Sequence, residues 1–212
     1  MTSLSRRAFV TASAAALLTG CGGGNGTAPA TNSAAKQRSS EQGSPTPSSP
    51  TATAKPVHAL ARSVPVTLRV PAIGVDTPVM RLGLAADGTV QVPPITAHDR
   101  AGWYRYSPTP GATGPSVILG HVTVGAYGDG VFRHLARLRA GNRIDVGLEN
   151  GTTAVFAVTE VRTVAKADFP SDEVYGNVDR PELRLITCGG TRTGTGYLDN
   201  VIVFAALTAP SP

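Results

Sequence analysis

The 212-residue chain carries a formal net charge of +5, but the basic excess lies at its N-terminal end. Residues 1–63 contain six Lys or Arg and one Glu, whereas residues 64–212 contain 13 basic and 13 acidic residues. The folded part is therefore neutral, which removes the usual reason to expect nucleic-acid binding. No apolar run approaches the roughly 20 residues of a membrane-spanning helix. The length suits one domain preceded by a tail.

Residues 1–21 are typical of an export signal. Arg6 and Arg7 precede an apolar stretch, Ala8 to Leu18, which has the length of a signal-peptide core and is too short to cross a bilayer. The arginine pair resembles the twin-arginine export motif, and Leu18-Thr19-Gly20-Cys21 resembles a bacterial lipobox. We therefore expect an exported protein that is lipidated at Cys21 and held at the outer face of the cytoplasmic membrane. The alternative is an ordinary cleavable signal with an unrelated cysteine.

Residues 22–63 form a segment of mostly Gly, Ser, Thr, Pro and Ala, here called the tether. Such a composition cannot bury enough apolar surface to offset the entropy of ordering, so we expect the tether to be disordered. As a flexible coil of about 40 residues it would span on the order of 35 Å. It would connect the anchor to a domain at residues 64–209. His58 lies in the tether, where we expect it to be inert.

From residue 64 onward, short β-like runs alternate with turns rich in Gly and Pro. Seven runs predict strands: Val66–Val70, Val79–Arg81, Val117–Leu119, Arg143–Val146, Thr153–Val164, Leu183–Thr187 and Val201–Ala206. Asn150-Gly151 predicts a hairpin with a type I′ turn. The best helical candidate, residues 131–138, would bring Phe132, Leu135 and Leu138 together. Strands of this length and spacing favour a closed or nearly closed β-barrel or a sandwich.

Cys188 is a single thiol without a disulfide partner if Cys21 is lipidated. In an oxidising compartment such a thiol is either buried and inert or reactive. The predicted strand at residues 183–187 brings Cys188 to its carboxyl end, directly before Gly189-Gly190. Glycines there let backbone N–H groups approach a ligand, so this setting favours a reactive cysteine.

A cysteine nucleophile needs a base, because its thiolate is the reactive form. His121 follows the apolar strand at residues 117–119 much as Cys188 follows its own strand, which makes it the candidate base. His98 lies in a polar loop and His134 in the helical turn, where structural roles are expected. The oxyanion of an acyl transfer also needs donors, and Arg192 is the nearest arginine downstream of the cysteine.

These residues resemble the sortase family. Leu185-Ile186-Thr187-Cys188-Gly189-Gly190 resembles the sortase cysteine element, and Leu119-Gly120-His121 resembles the histidine segment. Further stretches, in order from about Val66 to Leu207, resemble actinobacterial class F sortases in particular: residues 71–79, Gly102-Trp103-Tyr104, residues 108–111, Phe169-Pro170, Val174-Tyr175-Gly176 and residues 199–203.

The resemblance implies an all-β domain, a closed eight-stranded β-barrel with one or two short helices, that acts as a cysteine transpeptidase. Cys188 would be the nucleophile and His121 the general acid/base, with Thr187 supporting the site geometry. The implied partners are secreted proteins with a Leu-Pro-x-Thr-Gly-like sorting signal, cut after its threonine, and an amine acceptor such as a peptidoglycan precursor. The implied location is the cell-wall region of a Gram-positive bacterium.

The sequence departs from the sortase pattern at one position. The family's arginine usually comes just before an Asp-Asn-like pair, but here Leu198 precedes Asp199-Asn200. Either Arg192 reaches in from the loop at residues 191–196, or the arginine is absent and Arg184 or backbone donors replace it. If it is absent, we expect weak activity, or a non-catalytic sortase-like lipoprotein that binds wall peptides or a protein partner.

Other chemistries fit the sequence less well. An L,D-transpeptidase also uses cysteine and histidine, but Thr187-Cys188-Gly189 does not match its Ser-His-Gly-Cys-like context. The His and Cys residues lack the short spacing of metal ligands, so we expect no metal. No Gly-rich phosphate loop leads from a strand into a helix, so we expect no nucleotide cofactor.

Overall fold

A computed structural model describes residues 57–194 and 196–208. The predicted export signal, Cys21 and most of the predicted tether lie outside these residues. The described part contains eight strands and one α-helix: β1 (Pro65–Val70), β2 (Val75–Leu82), β3 (Ala101–Tyr104), β4 (Gly114–Leu119), β5 (Arg143–Leu148), β6 (Thr153–Ala165), α1 (Ser171–Tyr175), β7 (Pro181–Thr193) and β8 (Gly196–Leu207). Its 3₁₀ helices are Pro71–Ile73, Ile95–Ala97, Gly125–Tyr127, Leu135–Arg137 and Lys166–Asp168.

The eight strands close into a barrel in the order β1-β2-β3-β4-β7-β8-β6-β5. The pairs β2–β3 and β4–β7 are parallel, and the other pairs are antiparallel. This architecture confirms the closed eight-stranded all-β prediction. Between residues 57 and 208, Thr195 excepted, no helix has the length and apolarity to cross a bilayer.

Two apolar clusters lie on opposite faces of the barrel wall, because successive side chains of a strand point to opposite faces. The main core includes Leu68, Ile118, Phe156, Leu185 and Val203. The second cluster lies beneath α1 and consists of Leu82, Val117, Leu119, Val174, Ile186, Ile202 and Phe204. Strands β4 and β7 contribute to both clusters, so both of their faces are covered, as is usual for parallel strands. Accordingly β4 is almost continuously apolar, whereas β7 also buries the charged residues Glu182 and Arg184.

All seven predicted strands are present, and each is longer than predicted. The eighth, β3, was missed because it has four residues and includes Gly102, which packs against the side chain of Leu82. The helical candidate at residues 131–138 forms only the 3₁₀ turn Leu135–Arg137, yet it brings Phe132, Leu135 and Leu138 together in the main core, as predicted, and all three are fully buried.

The β5–β6 hairpin was predicted correctly, but its turn type was wrong. The Gly151 N–H donates to the Leu148 carbonyl at 3.0 Å, so Glu149 and Asn150 are the central turn residues. Gly151 follows the turn with a φ of 82°, where glycine has no steric penalty. The Asn150 side-chain oxygen accepts from the Thr152 N–H at 3.0 Å, which stabilises this longer connection. The glycine thus adopts the left-handed conformation after the turn rather than within it.

Residues just before position 64 are packed against the barrel. The Leu60 N–H donates to the Gly111 carbonyl at 2.8 Å, and the Leu60 side chain packs on the main core. The Ser63 hydroxyl accepts from the Asn150 N–H at 3.2 Å. Residues 60–63, which composition alone assigned to the tether, therefore contribute to the folded domain.

This packing predicts a measurable stability difference between two chain lengths. A chain beginning at Val57 should be more stable than one beginning at Val64 by about 1–2 kcal/mol, because the shorter chain loses the partial burial of Leu60. Urea unfolding followed by circular dichroism measures the difference. Leu60→Ala in the longer chain should cause most of the same loss, and equal stability of the two chains would contradict the assignment.

Candidate active site

His121 lies two residues past the end of β4, whereas Cys188 lies within β7, because this strand continues to Thr193 and does not end at residue 187 as predicted. β4 pairs with β7 from Gly114↔Pro181 through Leu119↔Ile186. The Gly120 N–H then donates to the Ile186 carbonyl at 3.1 Å, so the pairing continues beyond β4. Two residues past the last pair, this register places His121 beside Cys188.

Strand alternation assigns both residues to one face of the barrel wall. Val117 and Leu119 precede His121 by four and two residues, and both belong to the cluster beneath α1. Ile186 precedes Cys188 by two residues and belongs to the same cluster. Because side chains alternate with a period of two, His121 and Cys188 both lie toward the outer face.

The imidazole of His121 is oriented by a backbone carbonyl. Its Nε2 lies 2.6 Å from the carbonyl oxygen of Pro93, in the loop between β2 and β3. A carbonyl only accepts, so Nε2 carries the proton and Nδ1 keeps the free lone pair. This contact fixes the tautomer of the half-buried ring in the way that a carboxylate orients histidine in a catalytic triad.

The backbone of His121 is held by the segment that follows it. The Phe132 N–H donates to the His121 carbonyl at 2.9 Å, and Phe132 is fully buried. Gly130 passes so close to this carbonyl that a Cβ there would collide with it. The loop after β4 therefore folds back on His121 and limits its movement.

Cys188 is a half-buried free thiol next to a cavity of about 310 Å³. The cavity is lined by Phe132, Arg133, Thr187, Cys188, Tyr197 and Val201 among other residues. The hydroxyl of Thr187 is buried and has no hydrogen-bond partner in the described part of the chain. An unpaired buried hydroxyl costs stability, so this group is available to a ligand that enters the cavity.

Arg192, the arginine predicted for the site, is not among the residues that line this cavity. Arg192 is exposed and belongs to β7, which extends six residues farther than predicted, and it pairs with Tyr197 of β8. Leu198, at the family's arginine position, is 53% exposed. Arg133, which the sequence analysis did not single out, lines the Cys188 cavity and pairs with Asp129 at 3.1 Å. No sequence pattern indicated this placement, because it depends on the fold of the loop between β4 and β5.

The other two histidines of the domain lie together elsewhere. His98 and His134 line a separate cavity of about 370 Å³ that also borders Asp76, Asp99 and Asp129. The His98 ring stacks on Tyr127 with centroids 4.7 Å apart. No group of three or more His, Cys, Asp or Glu side chains is arranged to hold a metal ion within residues 57–194 and 196–208.

A third cavity, of about 420 Å³, lies on the outer face of β4. We call it the aromatic groove, because it is lined by Tyr104, Tyr106 and Tyr175 together with Val90, Pro108 and Val117. Tyr104 contacts both other tyrosine rings edge-on, at centroid distances of 5.7 and 6.2 Å. Burial, and then the nearby Tyr104, raise the pKa of Tyr175. The groove is an apolar cleft on the same face of β4 as His121.

Fold and site together define a closed β-barrel in which a cysteine within one strand lies beside a histidine just past the end of the adjacent parallel strand. A family model for the sortase domain matches residues 68–208. That match covers well over half of the chain, so the protein belongs to the sortase family.

Solved sortase structures share the fold. Sortase A from Corynebacterium diphtheriae has a TM-score of 0.54 and 19% identity, over 72% of this chain and 64% of that chain. The SrtA sortase from Actinomyces oris has a TM-score of 0.51 and 26% identity, over 74% and 87% of the two chains. Sortase C-1 from the same species has a TM-score of 0.52 and 22% identity, over 69% and 75%. The chain thus spans less than two thirds of the Corynebacterium diphtheriae chain. No curated protein matches the sequence significantly.

Proposed function

We propose that this protein is a cysteine transpeptidase that cleaves a Leu-Pro-x-Thr-Gly-like sorting signal and transfers the acyl group to an amine of the cell wall. The observation that carries the proposal is the position of Cys188, within β7, beside His121, just past the end of β4. Sortase family membership supports it. We also propose that the protein is related to class F sortases, on the basis of the stretches that resemble that class.

In the first half of the reaction, the Cys188 thiol gives its proton to Nδ1 of His121, and the resulting thiolate attacks the carbonyl carbon of the signal's threonine. The resulting tetrahedral intermediate carries an oxyanion. It collapses when the C–N bond to glycine breaks and the leaving amine takes a proton from His121. With Nε2 donating to Pro93, Nδ1 is the nitrogen that exchanges this proton. A thioester on Cys188 remains.

In the second half, an acceptor amine attacks the thioester carbonyl. The amine loses a proton to His121, the C–S bond breaks, and the new amide leaves with Cys188 restored as the thiolate. Toward the two amines, His121 therefore acts first as acid and then as base, and each proton it gives is returned. The acceptor we propose is an amine of a peptidoglycan precursor. No metal or cofactor is needed for either half.

The aromatic groove suits the apolar part of the sorting signal. Val117 in the groove pairs with Arg184, four residues before Cys188. At about 3.3 Å per residue this is about 13 Å along β7. An extended Leu-Pro-x-Thr segment covers a similar length, so leucine and proline can lie in the groove while threonine reaches Cys188. We propose Arg192 as the donor to the threonine carbonyl or oxyanion, and Thr187 as a supporting residue.

We further propose that the protein is exported by the twin-arginine pathway and anchored through a lipid on Cys21. The basis is the sequence of residues 1–21 alone, together with the envelope location that is general among sortases of Gram-positive bacteria. The anchored domain would then meet secreted proteins with sorting signals as they cross the membrane.

One observation favours a second candidate, a non-catalytic sortase-like lipoprotein that binds wall peptides or a protein partner. Leucine occupies the family's arginine position, and its side chain is about half exposed. Without a cationic donor, oxyanion stabilisation would weaken. Covalent capture of the peptide acyl group separates the two candidates.

Incubation with a sorting peptide should leave an acyl adduct on Cys188, because no other thiol is available in residues 22–212. Mass spectrometry of the intact protein and of its digest identifies the adduct and its site. Cys188→Ala should abolish both adduct and product. An adduct that persists in the alanine variant, or its absence from the wild type, would contradict the proposed function.

His121→Ala should lower kcat/KM by about 10²- to 10⁴-fold, the usual contribution of a general acid/base. Steady-state cleavage of a fluorescent sorting peptide measures the loss. His98→Ala and His134→Ala are the matched controls and should stay near the wild-type value, because both residues line the other cavity. A loss below about tenfold at His121 would remove it from the proton-transfer role.

Arg192→Lys should lower kcat/KM by about 10²-fold, the cost of losing one oxyanion donor, with little change in stability. Lysine keeps the charge but not the planar fork of donors. Arg133→Lys is the informative comparison, because Arg133 lines the Cys188 cavity. A normal rate for Arg192→Lys with a large loss for Arg133→Lys would assign the donor role to Arg133 instead.

Cys21→Ser should release the protein from the membrane fraction without unfolding the barrel. Cell fractionation measures the release, and mass spectrometry of the wild type should give a lipidated N-terminus at Cys21. A serine variant that stays membrane-bound through an uncleaved signal would contradict the lipobox assignment.

A further inference from the structure

Two arginines stack on one phenylalanine beneath α1. Phe204 of β8 lies between its strand partners Arg184 in β7 and Glu160 in β6, and Arg162 is two residues beyond Glu160. The guanidinium carbons of Arg162 and Arg184 each lie 4.5 Å from the centroid of the Phe204 ring. A guanidinium at this distance is attracted to the ring quadrupole, and the attraction grows where water is excluded.

Both guanidiniums also bind the same residue of α1. Arg162 pairs with the Glu173 carboxylate at 2.7 Å, and Arg184 donates to the Glu173 carbonyl from two nitrogens at 3.4 Å. Hydrogen bonding to Arg162 lowers the pKa of Glu173, so the pair is ionised at neutral pH. We call Arg162, Arg184, Phe204 and Glu173 the arginine clamp.

The charges of the clamp are compensated on the strand side as well. Arg162 binds the carboxylate of Glu160 through two nitrogens, at 2.7 and 3.1 Å. The buried guanidinium of Arg184 binds Glu182, which also pairs with Arg180. A buried charge is tolerated only with such partners, so the two arginines have fixed positions.

The position of α1 depends on these contacts, because a helix of five residues is not stable by itself. Val174 anchors it in the apolar cluster that contains Phe204. Arg184 donates to the Glu173 carbonyl, which is one of the last carbonyls of α1 and has no partner within the helix. A positive charge is favourable at this C-terminal end of a helix.

The last residue of α1 forms one wall of the aromatic groove. The Tyr175 ring contacts Tyr104 and Phe169 at centroid distances of 6.2 Å each. Tyr175 follows Val174 directly and lies two residues from Glu173. A displacement of α1 away from the arginine clamp would therefore also move Tyr175, which forms part of the wall of the aromatic groove.

We infer that Arg162 and Arg184 are positioning residues for the donor peptide, acting through Glu173 and α1 on Tyr175. This inference rests on the proposed function, because it assigns the apolar part of the sorting signal to the groove. Arg184 lies about 13 Å along β7 from Cys188, at about 3.3 Å per residue, so the clamp affects peptide binding and not the chemistry at the thiol.

The test uses Arg162→Met and Glu173→Gln in the full chain, with Arg69→Met as the matched control. Arg69 forms an exposed ion pair with Asp76 on the β1–β2 hairpin, which does not line the groove. We expect KM for the sorting peptide to rise about fivefold to tenfold in both clamp variants, with kcat within about twofold of wild type. The control should change neither value. The double variant should be no worse than the single ones, because both changes break the same contact.

Hydrogen exchange supplies a readout that does not depend on activity. Amides of residues 171–176 should exchange faster in the two clamp variants than in the wild type and the Arg69→Met control. Unchanged exchange in this segment would overturn the inference, as would a loss confined to kcat. Both clamp substitutions are at partly exposed side chains, so the variants should fold.

Failure of the proposed function gives a different result. In that case the wild-type chain itself forms no acyl adduct with the peptide. Peptide affinity is then measured by fluorescence polarisation on chains that also carry Cys188→Ala. Weaker binding in the clamp variants would support the positioning role, and unchanged binding would overturn it.

Discussion

The parallel hydrogen bonding of β4 to β7 is the constraint on which the rest of the site depends. Its register runs unbroken for six residue pairs and ends with Leu119 beside Ile186. His121 and Cys188 each follow two residues later, so the backbone alone makes them neighbours. Closure of the barrel stabilises this arrangement, because β4 and β7 each have a second strand partner on the other side. A shift of either strand by one residue would exchange the side chains that pack in the main core with those in the cluster beneath α1.

The outer face of this strand pair combines the two proposed catalytic residues with the aromatic groove. His121 gains its orientation from the Pro93 carbonyl and its fixed backbone from Phe132. Farther along the same face, about 13 Å along β7 from Cys188 at about 3.3 Å per residue, tyrosines and apolar side chains line the aromatic groove. The segments that carry these side chains are far apart in the sequence, and the closed barrel brings them to the same side of the β4–β7 pair. The proposed positioning of the peptide therefore depends on contacts in the groove, and the proposed acyl transfer depends on the contacts that hold His121.

Much of the fold could be predicted from the sequence, because buried strands produce apolar runs such as residues 117–119 of β4 and the mostly apolar residues 183–186 of β7. Cys188 and His121 stood out because each follows such a run. Short elements gave no comparable pattern: β3 has four residues and α1 has five. α1 is held by the arginine clamp, which joins residues distant in sequence. Pro93 contributes a backbone carbonyl, which any residue could supply, so no sequence signal identifies it.

The central claim is that β4 and β7 place His121 directly beside Cys188, and a disulfide tests it most directly. Neighbouring strands lie about 4.8 Å apart, within the Cα separation of about 4.4–6.8 Å that a disulfide needs. In a chain from Val57 carrying His121→Cys, mild oxidation should therefore consume both thiols within the monomer, as measured by thiol titration and non-reducing mass spectrometry. His98→Cys serves as the control and should keep its thiols free. Two free thiols in the oxidised His121→Cys monomer, or disulfides only between molecules, would contradict the account.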